Sequence, residues 1–163
     1  YLPDDIALQW CRSVDGSFHA RNSALGRRYR FVILESPVRP ALEAGLCGWV
    51  FRPLDGVLMR EAASYVVGEH DFRSFAQSGA TVKSTVRTVL GAGVAKRKDM
   101  LVFSIEADGF MKRMVRLIVG TLVQVGKERI SPGEFRGILE SGEKTKFVHA
   151  APARGLYLKE VKY

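Results

Sequence analysis

Arg116 is the first of two residues whose setting could support chemistry. It is the single charge in the otherwise apolar or neutral stretch Met114–Gly126. A buried guanidinium needs a carboxylate or phosphate partner, because an unpaired buried charge is strongly destabilising. The pattern predicts one of two arrangements. Either Arg116 pairs with an acid or an anionic ligand, or its long side chain reaches solvent at the edge of a helix.

Tyr29 is the second, because it lies within the basic sequence Arg27-Arg28-Tyr29-Arg30. An aromatic ring flanked by guanidinium groups can stack on a nucleobase while the arginines bind phosphates. The alternative is a tyrosine that packs in the core near the start of a strand.

The histidines and cysteines indicate neither a metal site nor a redox site. His19, His70 and His149 show no metal-ligand spacing and no acidic partner at a helical interval, so we expect structural roles for them. Cys11 and Cys47 are too far apart for a Cys-x-x-Cys motif. A disulfide between them stays open, and a reduced, cytoplasmic chain is the default expectation. Glycine-rich phosphate loops and Gly-x-Ser-x-Gly elbows do not occur in the sequence.

Composition indicates a globular domain with an excess of positive charge. The sequence has 163 residues, 47% of them hydrophobic, and a formal net charge of +8. This length suits one domain with a sizeable core. The charge favours a polyanionic partner such as nucleic acid, and the alternative is a solvated basic face. The arginines and lysines concentrate in two groups: Arg12, Arg21, Arg27, Arg28 and Arg30; and Lys96, Arg97, Lys98, Lys112 and Arg113.

The elements that must position these residues follow from hydrophobic periodicity and capping signals. Strands are predicted over residues 28–34, 85–95, 100–107 and 155–163, with a hairpin tip at 96–99. Within the first strand, Tyr29 shares a face with Phe31 and Ile33, whereas Arg28 and Arg30 lie on the other. Helices are predicted over residues 54–67, capped by Asp55, over 111–125, and from Ser131 to about residue 139. Residues 77–84 are small and polar and predict an exposed loop.

This order, β-α-β-β-α-(α)-β, indicates an α+β fold of the ferredoxin-like, split βαβ kind, with an antiparallel sheet and helices on one face. We expect residues 1–27 to form a connecting segment and residues 28–163 to form the α+β subdomain. Fold alone does not identify function.

Six short blocks, in order along the chain, carry a family resemblance. They are Leu2-Pro3-Asp4-Asp5-Ile6, Phe18-His19-Ala20-Arg21, Arg28-Tyr29-Arg30-Phe31, His70-Asp71-Phe72-Arg73-Ser74-Phe75, Met114-Val115-Arg116 and Ala151-Pro152-Ala153-Arg154-Gly155-Leu156. Together they closely resemble the TruA-type tRNA pseudouridine synthases across essentially the whole chain. The resemblance implies the C-terminal half of the pseudouridine synthase fold.

It also implies an activity: the isomerisation of uridines in the anticodon arm of tRNA. The enzyme breaks the N-glycosidic bond, turns the base and rejoins it through carbon. Members of the family need no cofactor and no metal, and they act as homodimers whose two subunits both contact tRNA. The implied partner is therefore tRNA, with no membrane association.

The resemblance assigns roles to particular residues. Tyr29 would match the tyrosine that stacks on the target uracil and helps to remove the C5 proton. Arg116 would match the arginine that pairs with the catalytic aspartate. RNA contacts are expected from a larger set, and Phe72, Ser74 and Leu156 are expected to shape the site. The RNA-contacting set is Phe18, His19, Ala20, Arg21, Asn22, Arg27, Arg28, Arg30, Gly79 and Lys83.

Two departures from the family pattern matter. The family's nucleophilic aspartate lies in an Arg-Thr-Asp-x-Gly-Val-His-like motif upstream of the Leu-Pro-Asp-Asp block, and this sequence contains no such motif. We therefore expect a C-terminal portion that lacks the nucleophile, is inactive alone and exposes a sheet edge. Asn22 stands where the family more often has an aromatic residue. The nucleophile's role is assigned to none of the chain's aspartates, which include Asp4, Asp5, Asp15, Asp71 and Asp108.

Two other functional classes compete with this interpretation. A stand-alone basic RNA-binding module would share the charge, the topology and the aromatic strand, but the usual recognition-motif signature is missing. A basic structural or membrane-surface protein would need a basic amphipathic helix with aromatic residues on its opposite face, and the sequence has none.

Overall fold

A six-stranded sheet and three α-helices organise the computed structural model, which describes residues 2–77, 79 and 83–163. The strands are β1 (Gly26–Glu35), β2 (Gly48–Val50), β3 (Gly68–Asp71), β4 (Val86–Arg97), β5 (Met100–Ala107) and β6 (Leu156–Lys162). The helices are α1 (Gly56–Ser64), α2 (Met114–Gly126) and α3 (Pro132–Ser141), and a 3-10 turn spans Arg73–Phe75.

The sheet topology is that of the split βαβ fold. β1 pairs antiparallel with β5 on one edge and with β6 on the other, and β4 pairs antiparallel with β5. The spatial order β6-β1-β5-β4 confirms the ferredoxin-like prediction. β2 adds a short parallel pairing to β1 beyond the end of β6, and β3 extends the sheet next to β4.

The helices pack on one face of this sheet. Phe31 of β1 and Phe103 and Ile105 of β5 belong to the same buried cluster as Met114 and Ile118 of α2. β5 alternates strictly between buried and half-buried residues, as a strand covered on one face does. The opposite face carries Arg28, Arg30, Ser104 and Glu106 and is partly exposed.

Local signals place the helix starts. The Asp55 carboxylate accepts hydrogen bonds from the Val57 and Leu58 amides at 2.8 and 2.9 Å, which confirms the predicted cap of α1. Ser131 and Glu134 form a reciprocal capping box at the start of α3. α1 ends at Ser64, short of the predicted residue 67, and Gly68 then adopts a φ of +108° that favours glycine.

Other predicted boundaries were wrong for identifiable reasons. α2 begins at Met114 rather than at residue 111, because Arg113 has a left-handed φ of 64° and an α-helix cannot run through it. β4 continues through Arg97, so the hairpin tip consists only of Lys98 and Asp99. β2 and β3 were not predicted, since they are three and four residues long and too short to show a period.

Residues 2–25 contain no helix or strand and run along the surface towards the end of β6. The Phe18 and Tyr163 rings lie 4.9 Å apart, and the Leu25 amide donates to the Lys162 carbonyl at 2.8 Å. Many of the segment's apolar side chains are exposed: Leu2, Ile6, Leu8, Trp10 and Val14. In the described part of the chain, no helix combines the length and the apolar composition that crossing a bilayer requires.

Candidate functional site

A cleft of about 670 Å³ opens where the start of α2 meets β1 and β6. It brings together four residues predicted to be functional, although they come from different parts of the sequence: Arg21, Tyr29, Arg116 and Leu156. The other lining residues are Phe110, Met111, Lys112, Arg113, Met114 and Val115.

Tyr29 lies on the helix-covered face of β1, as the strand period predicts. Its ring packs edge-on against Phe110 at a centroid distance of 5.2 Å, and the residue is only half-buried. The pairing of β1 with β6 shifts register here, because Arg28 faces Glu160 whereas Tyr29 faces Leu158. This bulge changes the strand's direction at the position that presents the tyrosine to the cleft.

Arg116 lies in the first turn of α2, at the cleft end of the helix. Its Nε donates to the Ala151 carbonyl at 2.7 Å. Within the described ranges, its two terminal nitrogens have no hydrogen-bond partner and no carboxylate lies within ion-pair distance. One edge of the guanidinium is therefore fixed while its fork is available for a carboxylate or a phosphate.

The cleft has a positive potential. Arg21, Lys112, Arg113 and Arg116 line it, and none of the described residues that line it is acidic. The N-terminal end of α2 adds the positive end of the helix dipole. An anionic group that enters the cleft is therefore stabilised electrostatically.

The three arginines next to Tyr29 in the sequence, Arg27, Arg28 and Arg30, lie outside the cleft lining. Arg27 donates to the carbonyls of Arg21 and Asp108, so it braces the segment that carries Arg21. Arg28 lies on the opposite face of the sheet and forms ion pairs with Glu106 and Glu160. Arg30 is exposed on that same face. Arg28 and Arg30 therefore do not line the cleft.

Glu106 is the hub of this opposite face. Hydrogen bonds from Lys162 and Arg28 hold the pKa of its carboxyl below the usual value. Arg28 and Lys162 face two carboxylates, Glu106 and Glu160, so this ion-pair network is locally balanced where the cleft is not.

The predicted RNA-contacting segment Phe18 to Asn22 forms a turn at the surface near the cleft. The His19 Nδ1 accepts from the amides of Arg21 and Asn22 at 3.1 and 3.3 Å. The Ala20 carbonyl accepts from the Tyr163 hydroxyl at 3.1 Å. His19 thus orders the turn that places Arg21 on the cleft, a supporting role that its spacing did not reveal.

Phe72 and Ser74 do not line the cleft. Both are fully buried, and Phe72 packs towards Phe75, which lies 5.7 Å from Phe135 of α3. Gly79 and Lys83 belong to the exposed loop that follows. Ser78 and residues 80–82 of the predicted loop lie outside the described residues. These positions include three of the five in the predicted contact stretch from Gly79 to Lys83.

Asp71 fixes the base of this loop and provides a pH-dependent stability test. Its carboxylate pairs with Arg73 and accepts from the Thr85 hydroxyl at 2.6 Å, and the Arg73 bonds lead in lowering its pKa. A carboxyl group whose pKa is lower in the folded state contributes to stability at pH values above its ordinary pKa. This contribution is lost as the pH falls through the folded-state pKa. Asp71→Asn should lower the free energy of unfolding by about 1 kcal/mol at pH 7.

Urea unfolding of both proteins at pH 7 and at pH 3 measures this effect. The difference between wild type and Asp71→Asn should shrink at the acidic pH. A difference that is the same at both pH values would contradict the ion-pair origin of the effect.

Sequence reasoning missed Lys112, Arg113 and Phe110 as cleft residues. The sequence shows Lys112 and Arg113 only as members of a basic group, because a helix predicted to start at residue 111 includes both of them. The left-handed backbone conformation of Arg113 sets the true start of α2, and the sequence carries no signal for a positive φ at an arginine. Among the described residues, no group of three or more His, Cys, Asp or Glu side chains is arranged to hold a metal ion.

Comparison with known proteins gives consistent matches. The family model for "tRNA pseudouridine synthase" matches residues 62–163. A tRNA pseudouridine synthase A of Methylibium petroleiphilum is 46% identical over 157 residues, covering 96% of this chain and 60% of that protein. That of Thiobacillus denitrificans is 41% identical, with 100% and 63% covered, and that of Thermoanaerobacter pseudethanolicus is 42% identical, with 99% and 66% covered. The chain thus spans 60 to 66% of the length of these relatives.

Proposed function

The chain belongs to the tRNA pseudouridine synthase family, and from this premise we propose that the whole protein isomerises uridine to pseudouridine in the anticodon arm of tRNA. The observation that carries the proposal is the cleft, in which Tyr29 and the fork of Arg116 face a positively charged opening whose described lining contains no acidic side chain. The relatives' names supply the reaction, and the cleft supplies groups whose chemistry fits it.

The reaction needs a nucleophile, a surface for the turning base and a path for one proton. The N1–C1′ bond breaks, a C5–C1′ bond forms, and the C5 proton is replaced by one on N1. A base taken out of its stack loses its neighbours, and the ring of Tyr29 offers a replacement π-face. The phenol oxygen then accepts the C5 proton as its own hydroxyl proton passes to solvent, and N1 takes up a proton from solvent. Leu156 supplies an apolar contact beside it.

Arg116 has an electrostatic part in this proposal. Its two free terminal nitrogens match the two oxygens of a carboxylate. A guanidinium in contact with an aspartate lowers the carboxyl pKa and keeps the group ionised for attack on C1′. We propose that this aspartate comes from a part of the whole protein outside these residues. The acid-free lining of the cleft and the partial coverage of the relatives support this.

Release of tritium from tRNA carrying 5-tritiated uridine tests the proposal, because C5 loses its hydrogen in the reaction. The full-length protein should release tritium and the 163-residue chain should not. If the full-length protein binds tRNA but releases none, the proposal fails and the RNA-binding module is favoured. Release by the 163-residue chain alone would contradict the external nucleophile.

Lys112 should contribute to tRNA affinity through a phosphate contact. Lys112→Gln is expected to weaken binding by full-length protein and to lower the slope of log affinity against log salt by about 1. The matched variant is Arg30→Gln, which removes one cation from the opposite face of the sheet. Filter binding across a salt series measures both. Equal losses would indicate that tRNA contacts both faces.

We also propose that the whole protein is a cytoplasmic homodimer. The exposed apolar side chains of residues 2–25 support an additional partner surface, because so many exposed apolar groups in one segment usually mark an interface. Light scattering on the full-length protein gives the oligomeric state, and a monomer at micromolar concentration would contradict the proposal.

A further inference from the structure

The segment from His149 to Ala151 lies directly against α2 and holds Arg116. The Ala151 amide donates to the Arg116 carbonyl at 2.9 Å, and the Ala151 carbonyl accepts from the Arg116 Nε at 2.7 Å. Ala151 is therefore bonded to both the backbone and the side chain of Arg116. The direction of the guanidinium fork depends on where this segment sits.

Gly120 permits the close approach of the two backbones. A Cβ at this position would lie 1.8 Å from the His149 carbonyl oxygen, a separation that real atoms do not tolerate. Arg116, Gly120 and Gln124 are spaced by four residues, so they form one stripe along α2. The segment from His149 to Ala151 runs along that stripe.

Gln124 completes the contact at the far end of the stripe. It is buried, with 3% of its surface exposed. Arg129 donates to its Oε1 at 3.2 Å, and its Nε2 lies 3.1 Å from the Nε2 of the exposed His149. An amide nitrogen can only donate, so the His149 Nε2 is the acceptor and carries no proton in this arrangement.

A buried amide is not required for packing in so apolar a helix. Burying it costs free energy unless its hydrogen bonds are made, and an apolar side chain of similar size would fill the same space. What the amide adds is direction, because the bond from Arg129 fixes the amide and the bond to His149 sets where His149 lies relative to α2. The other buried polar side chain of α2 is Thr121, and its one hydrogen bond to a described residue stays within the helix, to the Leu117 carbonyl at 2.9 Å.

We propose that Gln124 and His149 are positioning residues for Arg116. Their hydrogen bond, together with the close contact at Gly120, holds Ala151 in the register at which its carbonyl orients the guanidinium fork towards the cleft. This inference rests on the proposed function for its catalytic consequence, whereas the positioning of Ala151 can be measured without it.

The test uses the full-length protein with Gln124→Met, which keeps the volume and removes both bonds. Thr121→Val is the matched control, since it removes a buried hydrogen bond from the same helix without touching the segment. Gln124→Met should lower the turnover of tRNA by ~10- to 100-fold with KM unchanged, because a small misplacement of a reacting group has effects of this size. Thr121→Val should leave turnover near wild type.

A double-mutant cycle separates positioning from general destabilisation. Gln124→Met should cause no further loss in the Arg116→Ala background, because there is then no guanidinium to orient. An equal loss in both backgrounds would overturn the proposal. Should Gln124→Met fail to fold, His149→Gln takes its place, since a glutamine oxygen can still accept from Gln124 and should restore part of the activity relative to His149→Ala.

Hydrogen exchange at the Ala151 amide gives a readout independent of activity. In Gln124→Met this amide should exchange ~10-fold faster while β5 keeps its protection, as expected for a local opening. Unchanged exchange would overturn the inference. Faster exchange in Gln124→Met, together with no tritium release by the wild-type protein, would overturn the proposed function and leave the positioning of Ala151 intact, so the two failures are distinguishable.

Discussion

Tyr29→Phe is expected to reduce tritium release from tRNA by ~10²- to 10⁴-fold while leaving tRNA affinity nearly unchanged. Phenylalanine keeps the ring that stacks on the base and keeps the edge-on contact with Phe110 at 5.2 Å. It removes only the hydroxyl, which has no hydrogen-bond partner within the described part of the chain and is therefore free to take part in chemistry. The result would separate stacking from proton transfer.

Tyr29→Leu extends this prediction to the ring itself. Losing the π-face should also weaken the complex with tRNA by about 1–3 kcal/mol, the usual contribution of one stacked base. Tyr65→Phe is the control, because Tyr65 bonds Glu61 on the surface of the α1 region and lies away from the cleft. Single-turnover tritium release and filter binding measure the two effects. A Tyr29→Phe protein with the wild-type rate would show that the phenol has no role in removing the proton.

The strongest sequence inferences concerned elements with a clear period or a clear cap. β1 and β5 alternate, and Asp55 and Ser131 announce helix starts, so the central strands and helices were predictable. The ferredoxin-like order then followed from connectivity. β2 and β3 were not predictable because strands of three and four residues owe their existence to the neighbours β1 and β4, which only the fold brings alongside.

The candidate site was predictable in its residues and only partly in its geometry. A lone arginine in an apolar helix is unusual, and α2 explains it by placing Arg116 in the first turn, at the cleft. Arg28 and Arg30 were grouped with Tyr29 because they are adjacent in sequence. The strand period already put them on the other face, and the structure places them there. Adjacency in sequence was a poorer guide than periodicity.

The basic lining of the cleft could not be derived from the sequence, because it depends on backbone conformation. Arg113 takes a left-handed φ of 64°, which ends the preceding turn and starts α2 at Met114. Lys112 and Arg113 thereby flank the helix start rather than lying within the helix. A positive φ at a residue other than glycine is held in place by its surroundings, and only the folded chain supplies those.

Arg116→Ala should lower turnover about as strongly as Tyr29→Phe does. We expect turnover by the full-length protein to fall by at least ~10²- to 10³-fold, the usual cost of removing one preorganised electrostatic group from an active site. The substitution removes the fork and also the Nε bond to Ala151. Urea unfolding of the same variant shows how much of the loss comes from a weakened fold.

Arg116→Lys is the more informative partner of this variant. Lysine keeps the charge, but it offers one ammonium group where arginine has an anchored Nε and a free fork. We therefore expect Arg116→Lys to recover little of the activity, because geometry as well as charge is required. Arg136→Lys, on the exposed side of α3, is the matched control for the same chemical change and should behave as wild type. Full activity of Arg116→Lys would reduce the role of this residue to its charge.

The same variants distinguish a synthase from a module that only binds RNA. In a binding module Tyr29→Ala should weaken the complex with tRNA, and Arg116→Ala should do little, since there is no catalytic aspartate to orient. In a synthase Arg116→Ala should leave much of the affinity and remove the turnover, because the cleft keeps the cations of Arg21, Lys112 and Arg113. The contrast rests on one structural fact: the Arg116 fork is the only part of that side chain not already bound to the described protein. A group held in this way contributes most when a second charged partner arrives, and a carboxylate brought by the rest of the protein would be that partner.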